Sequence, residues 1–227
     1  SWSSVLPPAI FWDMDGTLVD TEPLWGVATY ELSEKLGRRL TPELREKTIG
    51  GSFGNTLAIC AAHAGVELGP GDYERYKTWM YSRMGELTAG DLTPNPGVQS
   101  LLAALREAGV PMLVTTNTER VLADALINAV GRDFFVDSIA GDEVERTKPA
   151  PDMYLEAARR VGFDARDCLV FEDSWAGMSA AAAAGCRVLG LAETVPEGVV
   201  SFDPANFVGA ALEDVARWYA EIVQPVR

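Results

Sequence analysis

Apolar positions along this chain fall into two different rhythms. A short run, Ala9 to Trp12, follows Pro7-Pro8 and has the length of a buried strand. From Pro23 to Asp91 the spacing is helical instead. Leu24 to Leu36 is closed by Gly37, and Pro42 to Thr48 carries proline in its first turn. Asn55 to Ala64 and Asp72 to Met84 follow, each stopped by a glycine. Four helices with no strand among them predict a small bundle.

The rhythm changes again at Leu92-Thr-Pro-Asn-Pro-Gly, a proline-rich stretch that reads as a hinge. Beyond it, strand and helix alternate: helix Val98–Ala108, strand Pro111–Thr115, helix Arg120–Val130 and a short strand at Ser138-Ile-Ala. Helix Asp152–Val161, strand Cys168–Phe171, helix Ala176–Ala184, strand Arg187–Leu191 and a terminal helix Ala211–Val223 complete the series. This order predicts an α/β fold, a Rossmann-like parallel sheet with helices on both faces. The first strand belongs to that sheet, so the bundle is an insertion. The predicted partition is a core of residues 1–22 and 92–227 and a helical cap of residues 23–91.

Composition narrows the partners. With 19 basic against 33 acidic side chains, the net charge of −14 argues against nucleic acid, which needs concentrated Lys and Arg. It leaves room for a small phosphorylated ligand, because a local cation reverses the field inside one pocket. No apolar run approaches membrane-spanning length and no secretory signal is visible, so no membrane association is expected. The opening Ser-Trp-Ser-Ser reads as a trimmed or engineered start. Three widely spaced cysteines, Cys60, Cys168 and Cys186, show no metal-ligand pattern and suit free thiols in a reducing cytoplasm. Nothing calls for an assembly larger than a monomer or weak dimer.

The chemistry gathers at strand ends, where open parallel sheets bind ligands. Asp13 and Asp15 end the first strand, Thr115-Thr116-Asn117 the second, Lys148 follows the third, and Glu172-Asp173 follow Cys168–Phe171. Four carboxylates converging there call for a hard cation with oxygen ligands, Mg²⁺ foremost. A lysine and a threonine beside them suit a phosphoryl group. Asp13 can attack phosphorus to form an aspartyl phosphate. Asp15, two residues along, faces the same way, and crowding raises its proton affinity enough for acid/base work.

These residues also carry a resemblance. Asp-Met-Asp-Gly-Thr-Leu-Val-Asp, Thr115 closing Pro-Met-Leu-Val-Thr-Thr-Asn, Lys148 in Thr-Lys-Pro-Ala-Pro-Asp, and Glu172-Asp173 in Val-Phe-Glu-Asp-Ser resemble the four motifs of the haloacid dehalogenase-like hydrolase superfamily. The inserted bundle is similar to the helical cap of its phosphoglycolate, sugar-phosphate and beta-phosphoglucomutase-like branch. The resemblance implies Asp13 as nucleophile and metal ligand, and Asp15 as general acid/base that also ligates through its carbonyl. Thr115, the Thr116 backbone and Lys148 would hold the phosphoryl group. Asp173 would bind Mg²⁺ directly, and Glu172 directly or through water.

Within that branch the machinery serves either a phosphatase or a phosphosugar mutase. The mutases resembled here carry a histidine just after the first motif and an arginine in the cap; this chain has Trp25 and Phe53 at those places. Neither supplies the charge-assisted contact, and Thr17 is the residue commoner among phosphatases, so hydrolysis of a sugar or polyol phosphate is predicted. A non-catalytic phosphoacceptor domain is the third reading. Receiver domains, however, lack such an insertion and place the acceptor Asp after a central strand, and an intact Asp15 would promote turnover. Trp25, Phe53 and Trp79 are candidates to line the pocket or pack the bundle. Asn117 either touches substrate or, with Thr116, caps a helix starting near Thr118. Trp175 reads as packing beneath the metal loop, and His63 as a surface or capping residue.

Overall fold

The computed structural model describes residues 5–89 and 92–222. The predicted helix end at Val223, the boundary residue Asp91 and the opening tetrapeptide lie outside them. The sheet has six parallel strands in the order β3-β2-β1-β4-β5-β6. They are β1 Ile10–Trp12, β2 Met112–Thr115, β3 Asp137–Ile139, β4 Leu169–Glu172, β5 Arg187–Gly190 and β6 Val199–Ser201. β1 is central, with Trp12 level with Val114 of β2 and with Phe171 of β4. The chain winds outward from β1 to β2 and β3, then crosses to β4, which leaves a crevice at the carboxyl ends of β1, β2 and β4.

Period-two alternation divides the core. Ile10, Trp12 and Met14 point into one cluster with Leu101 and Leu105 of α5 (Val98–Glu107), Leu126 of α6 (Arg120–Val130) and Val215 of α9 (Leu212–Glu221). Ala9 and Phe11 point into the other, with Met153 and Tyr154 of α7 (Asp152–Val161) and Ala180 and Ala181 of α8 (Trp175–Ala183). Small alanines let α8 lie close on the sheet. Trp12 stacks on Phe171 with centroids 4.4 Å apart and an interplanar angle of 16°. That pair pins β1 against β4 directly beneath the site.

Between β1 and β2 the chain forms α1 (Glu22–Leu36), α2 (Pro42–Glu46), α3 (Phe53–Ala64) and α4 (Asp72–Thr88). Thr41 and Ser52 cap α2 and α3 by accepting from the Leu44 and Asn55 amides. The predicted stop at Gly85 is wrong: α4 runs on to Thr88. A mid-helix glycine costs only about 1 kcal/mol, and Met84 is wholly buried while Arg83 ion-pairs with Glu31 of α1 at 2.8 Å. Packing on α1 outweighs the local propensity. Strand β6 is absent from the predicted elements. It is a three-residue edge strand with two exposed positions, too short to show alternation. No helix among the described residues is long and apolar enough to cross a membrane.

Candidate active site

Parallel registration of β1, β2 and β4 brings the predicted residues to one edge. Lys148, 3% exposed, is their hub. Its ammonium meets three acceptors: Asp13 Oδ1 at 2.9 Å, Glu172 Oε2 at 2.6 Å and the Thr115 carbonyl at 2.8 Å. Burial opposes the charge, but Asp13 and Glu172 outweigh it and hold Lys148 protonated above its ordinary range. Thr17 Oγ1 lies 3.0 Å from Asp13 Oδ2 and 3.3 Å from Asp173 Oδ1, bridging the first and fourth motifs. Gly16, at φ 87°, makes the turn after Asp15, and a Cβ there would fall 1.9 Å from Asp173 Oδ2.

Asp15 faces the cleft beside Asp13 and is held by four donors. Its Oδ1 accepts from Thr21 Oγ1 and Trp25 Nε1, both at 2.8 Å, and its Oδ2 from Thr118 Oγ1 at 2.9 Å and Thr116 Oγ1 at 3.3 Å. Burial raises its proton affinity, partly offset by the Trp25, Thr21 and Thr118 bonds. Asp173 is pushed well up by burial and by Asp13 beside it.

Carboxylate oxygens of Asp13, Glu172 and Asp173 lie within 4.8 Å of one another, and Glu172 Oε1 is buried without a hydrogen-bond partner. Three carboxylates against one lysine leave an excess of negative charge, and an all-oxygen donor set fits a hard divalent cation. Tyr154 Oη donates to Glu172 Oε2 and so fixes the carboxylate from below. Gly177 leaves it room, since a Cβ there would come 1.9 Å from Oε1. Gly177→Ala is therefore expected to displace Glu172, cost about 1–3 kcal/mol of stability and weaken metal binding. Isothermal titration of Mg²⁺ into both proteins measures this; unchanged affinity would contradict the placement.

The remaining predicted residues divide. The Thr115 hydroxyl turns to the Trp12 carbonyl (3.4 Å) and Tyr154 Oη (3.3 Å), beneath the cleft and not on its wall. Thr116, Asn117, Trp25 and Phe53 do line the cleft. Asn117 does not cap a helix: α6 begins at Arg120 with Glu119 before it. Its amide instead donates to the carbonyls of Gly50 (2.9 Å) and Lys148 (3.1 Å) and accepts from the Lys148 amide (3.0 Å), tying the helical insertion to the lysine loop. Trp79 packs against the insertion's core and is absent from the cleft wall. His63 meets the Arg39 carbonyl at 3.0 Å on the surface. Trp175 is no packing residue. It is 57% exposed, because Ser174 caps α8 and turns the first helical side chain outward.

Several site residues escaped the sequence reading. Thr21 and Thr118 hold Asp15, Tyr154 holds Glu172, and Glu22 and Arg45 line the cleft. Thr21 and Glu22 lay in view beside the first motif; Arg45 looked like one more polar helical residue. Burial, with Asp15 nearby, pushes Glu22 up to about 7, and Arg45 offsets only part of that. A carboxyl whose proton is held more tightly folded than unfolded stabilises the fold below its unfolded value, and that contribution is lost as pH rises through the folded one. For Glu22 this window runs from 4.5 to about 7 and is worth at most about 3 kcal/mol. Metal-free protein should therefore gain thermal stability between pH 7.5 and 5, and saturating Mg²⁺ should flatten the trend. A melting temperature that falls on acidification over this range would contradict it.

The family model for haloacid dehalogenase-like hydrolases matches residues 7–185. Protein CbbY of Rhodobacter capsulatus is 33% identical over 191 residues, covering 80% of this chain and 83% of its own. The phosphorylated carbohydrates phosphatase of Thermotoga maritima is 28% identical over 84% of this chain and 88% of its own. The crystal structure of a CbbY mutant from Rhodobacter sphaeroides with xylulose-(1,5)bisphosphate superposes with a TM-score of 0.71 at 29% identity, covering 82% of this chain and 86% of that one. A match across most of the sequence, on a sheet that carries the four strand-end motifs to one edge, makes this chain a member of the haloacid dehalogenase-like hydrolase family.

Proposed function

We propose that the protein is a Mg²⁺-dependent phosphatase that hydrolyses a small phosphorylated metabolite, a sugar or polyol phosphate, through an aspartyl phosphate on Asp13. The observation that carries this reading is the pairing of two unlike carboxylates. Asp13 accepts from the Lys148 ammonium at 2.9 Å, while the nearby Asp15 is pushed toward its protonated form by burial. One is suited to attack and the other to deliver a proton.

In this mechanism Asp13 Oδ attacks phosphorus in line as the bond to the ester oxygen breaks, and Asp15 gives that oxygen its proton. Asp15 then takes a proton from water, whose oxygen attacks the phosphoaspartate and frees both Asp13 and inorganic phosphate. Lys148 and the Thr116 backbone orient the phosphoryl oxygens, while Thr115 supports them from beneath the cleft, its carbonyl accepting from Lys148 at 2.8 Å. Asp13, Asp173, the Asp15 carbonyl and Glu172, directly or through water, would hold Mg²⁺, which supplies charge neutralisation for the carboxylates and phosphoryl group.

Residues 23–91 act as the cap over a core of residues 1–22 and 92–227. Helix α4 is clasped to the sheet edge: Tyr81 Oη accepts from the Glu119 amide at 3.0 Å, and Lys77 pairs with Glu119 at 3.0 Å. The cleft offers only about 60 Å³, well short of the roughly 300 Å³ of a small ligand site. Substrate entry therefore requires the helices to swing away and then exclude water on closing. Hydrolysis is favoured over a mutase by Trp25, whose single N–H is committed to Asp15, and by Phe53, whose ring packs edge-on to Tyr73 at 5.3 Å. A phosphate-release screen over phosphorylated metabolites with Mg²⁺ tests the reading. Free phosphate from a sugar or polyol phosphate is expected; interconversion of hexose phosphates without release would overturn it.

A further inference from the structure

Glu22 and Arg45 are charged groups on the cleft wall that the phosphoryl chemistry leaves unused. Arg45 Nη1 donates to Thr48 Oγ1 at 2.8 Å and Nη2 to the Glu22 carbonyl at 3.3 Å, with Glu22 Oε2 3.7 Å from Nη2. The Arg45 and Glu22 side chains are 11% and 24% exposed, respectively. Among the described lining residues Arg45 is the one cation, and Glu22 matches it. Around the pair the wall is hydroxyl and aromatic, with Thr29, Thr48, Trp25 and Phe53.

Resting on the phosphatase reading, we infer that the Glu22–Arg45 pair selects a monophosphate ester with an uncharged, polyhydroxylated tail and rejects tails bearing a carboxylate or a second phosphate. A tail hydroxyl can donate to the Glu22 carboxylate while its neighbour accepts from Arg45, so a diol satisfies both partners without separating them. An anionic tail has no unmatched cation to meet. To bind it, Arg45 must leave Glu22, stranding a carboxylate beside Asp15 and Asp13. Glu22 is thus the repulsive element that confers selectivity. This sets the chain apart from the Rhodobacter sphaeroides relative, which was crystallised with a bisphosphate.

The test compares kcat/KM with Mg²⁺ for glycerol, xylitol and sorbitol phosphates against phosphoglycolate and fructose bisphosphate, with p-nitrophenyl phosphate as a tail-independent ester. The best polyol phosphate should exceed both acid-tailed esters by roughly tenfold or more. Glu22→Gln should shrink that ratio by a comparable factor, chiefly through lower KM for the acid-tailed esters. Arg45→Met should raise KM for the polyol phosphate. Taking ratios removes any general loss caused by disturbing the neighbouring aspartates. Equal or better turnover of the acid-tailed esters by the native protein, or a ratio untouched in Glu22→Gln, overturns the inference while the phosphatase reading stands. No phosphate from any ester, p-nitrophenyl phosphate included, would sink both.

Discussion

Asp13→Asn is expected to abolish turnover while the protein remains folded. Asparagine keeps the shape of the side chain, and its carbonyl still accepts from Thr17, which lies 3.0 Å from Asp13 Oδ2. Lys148 loses one of two anionic partners but retains Glu172 at 2.6 Å, so its charge is not left stranded. An amide, however, is a poor nucleophile toward phosphorus. The loss in kcat should reach about four to six orders of magnitude, the scale on which deleting a nucleophile registers. Phosphate release measured alongside circular dichroism separates chemistry from folding. Retained activity in a folded variant would refute the assignment of Asp13.

Lys148→Met should be the most damaging single change to the metal-free fold. Among the described residues the ammonium is the one cation that ion-pairs with Asp13 and Glu172, and both carboxylates are buried. Removing one partner from a buried ion pair costs about 3–5 kcal/mol, which for a chain of this size lowers the melting temperature by about 10 °C. Mg²⁺ brings positive charge to the same carboxylates, so it should restore more stability to the variant than it adds to the native protein. Thermal melts with and without Mg²⁺ measure both terms. An unchanged melting temperature would mean that the lysine is not the hub described here.

Much of this arrangement was legible from the chain because its chemistry sits on regular elements. Asp13, Glu172 and Thr115 are placed by three adjacent buried strands, and strand ends in a parallel sheet are predictable from alternation of element types. Helices α6 and α7 begin and end where their glycines and first turns say they should. What escaped depends on tertiary contacts. Gly85 reads as a stop until Met84 and Arg83 are seen packed on α1. Trp175 reads as packing beneath the metal loop until the cap at Ser174 turns it outward. Arg45 and Glu22 are 23 positions apart in the chain, and only the packing of α2 on α1 brings them together. In the sequence Trp25 stands out for what it lacks, a charged ring nitrogen; the structure adds what it does, which is to donate to Asp15. The four strand-end motifs therefore announce the chemistry, whereas the cap's contribution appears only once its helices are folded over them.

In the proposed mechanism the phosphoryl group passes through Asp13. Mixing excess enzyme with a hydrolysed sugar or polyol phosphate and Mg²⁺, quenching with acid within a single turnover, and mapping the peptides by mass spectrometry tests it most directly. One phosphoryl group on the peptide that contains Asp13, lost on longer incubation as free phosphate appears, is the predicted result. Full turnover with no modified peptide at any time, or a phosphoryl group on a different residue, would contradict it.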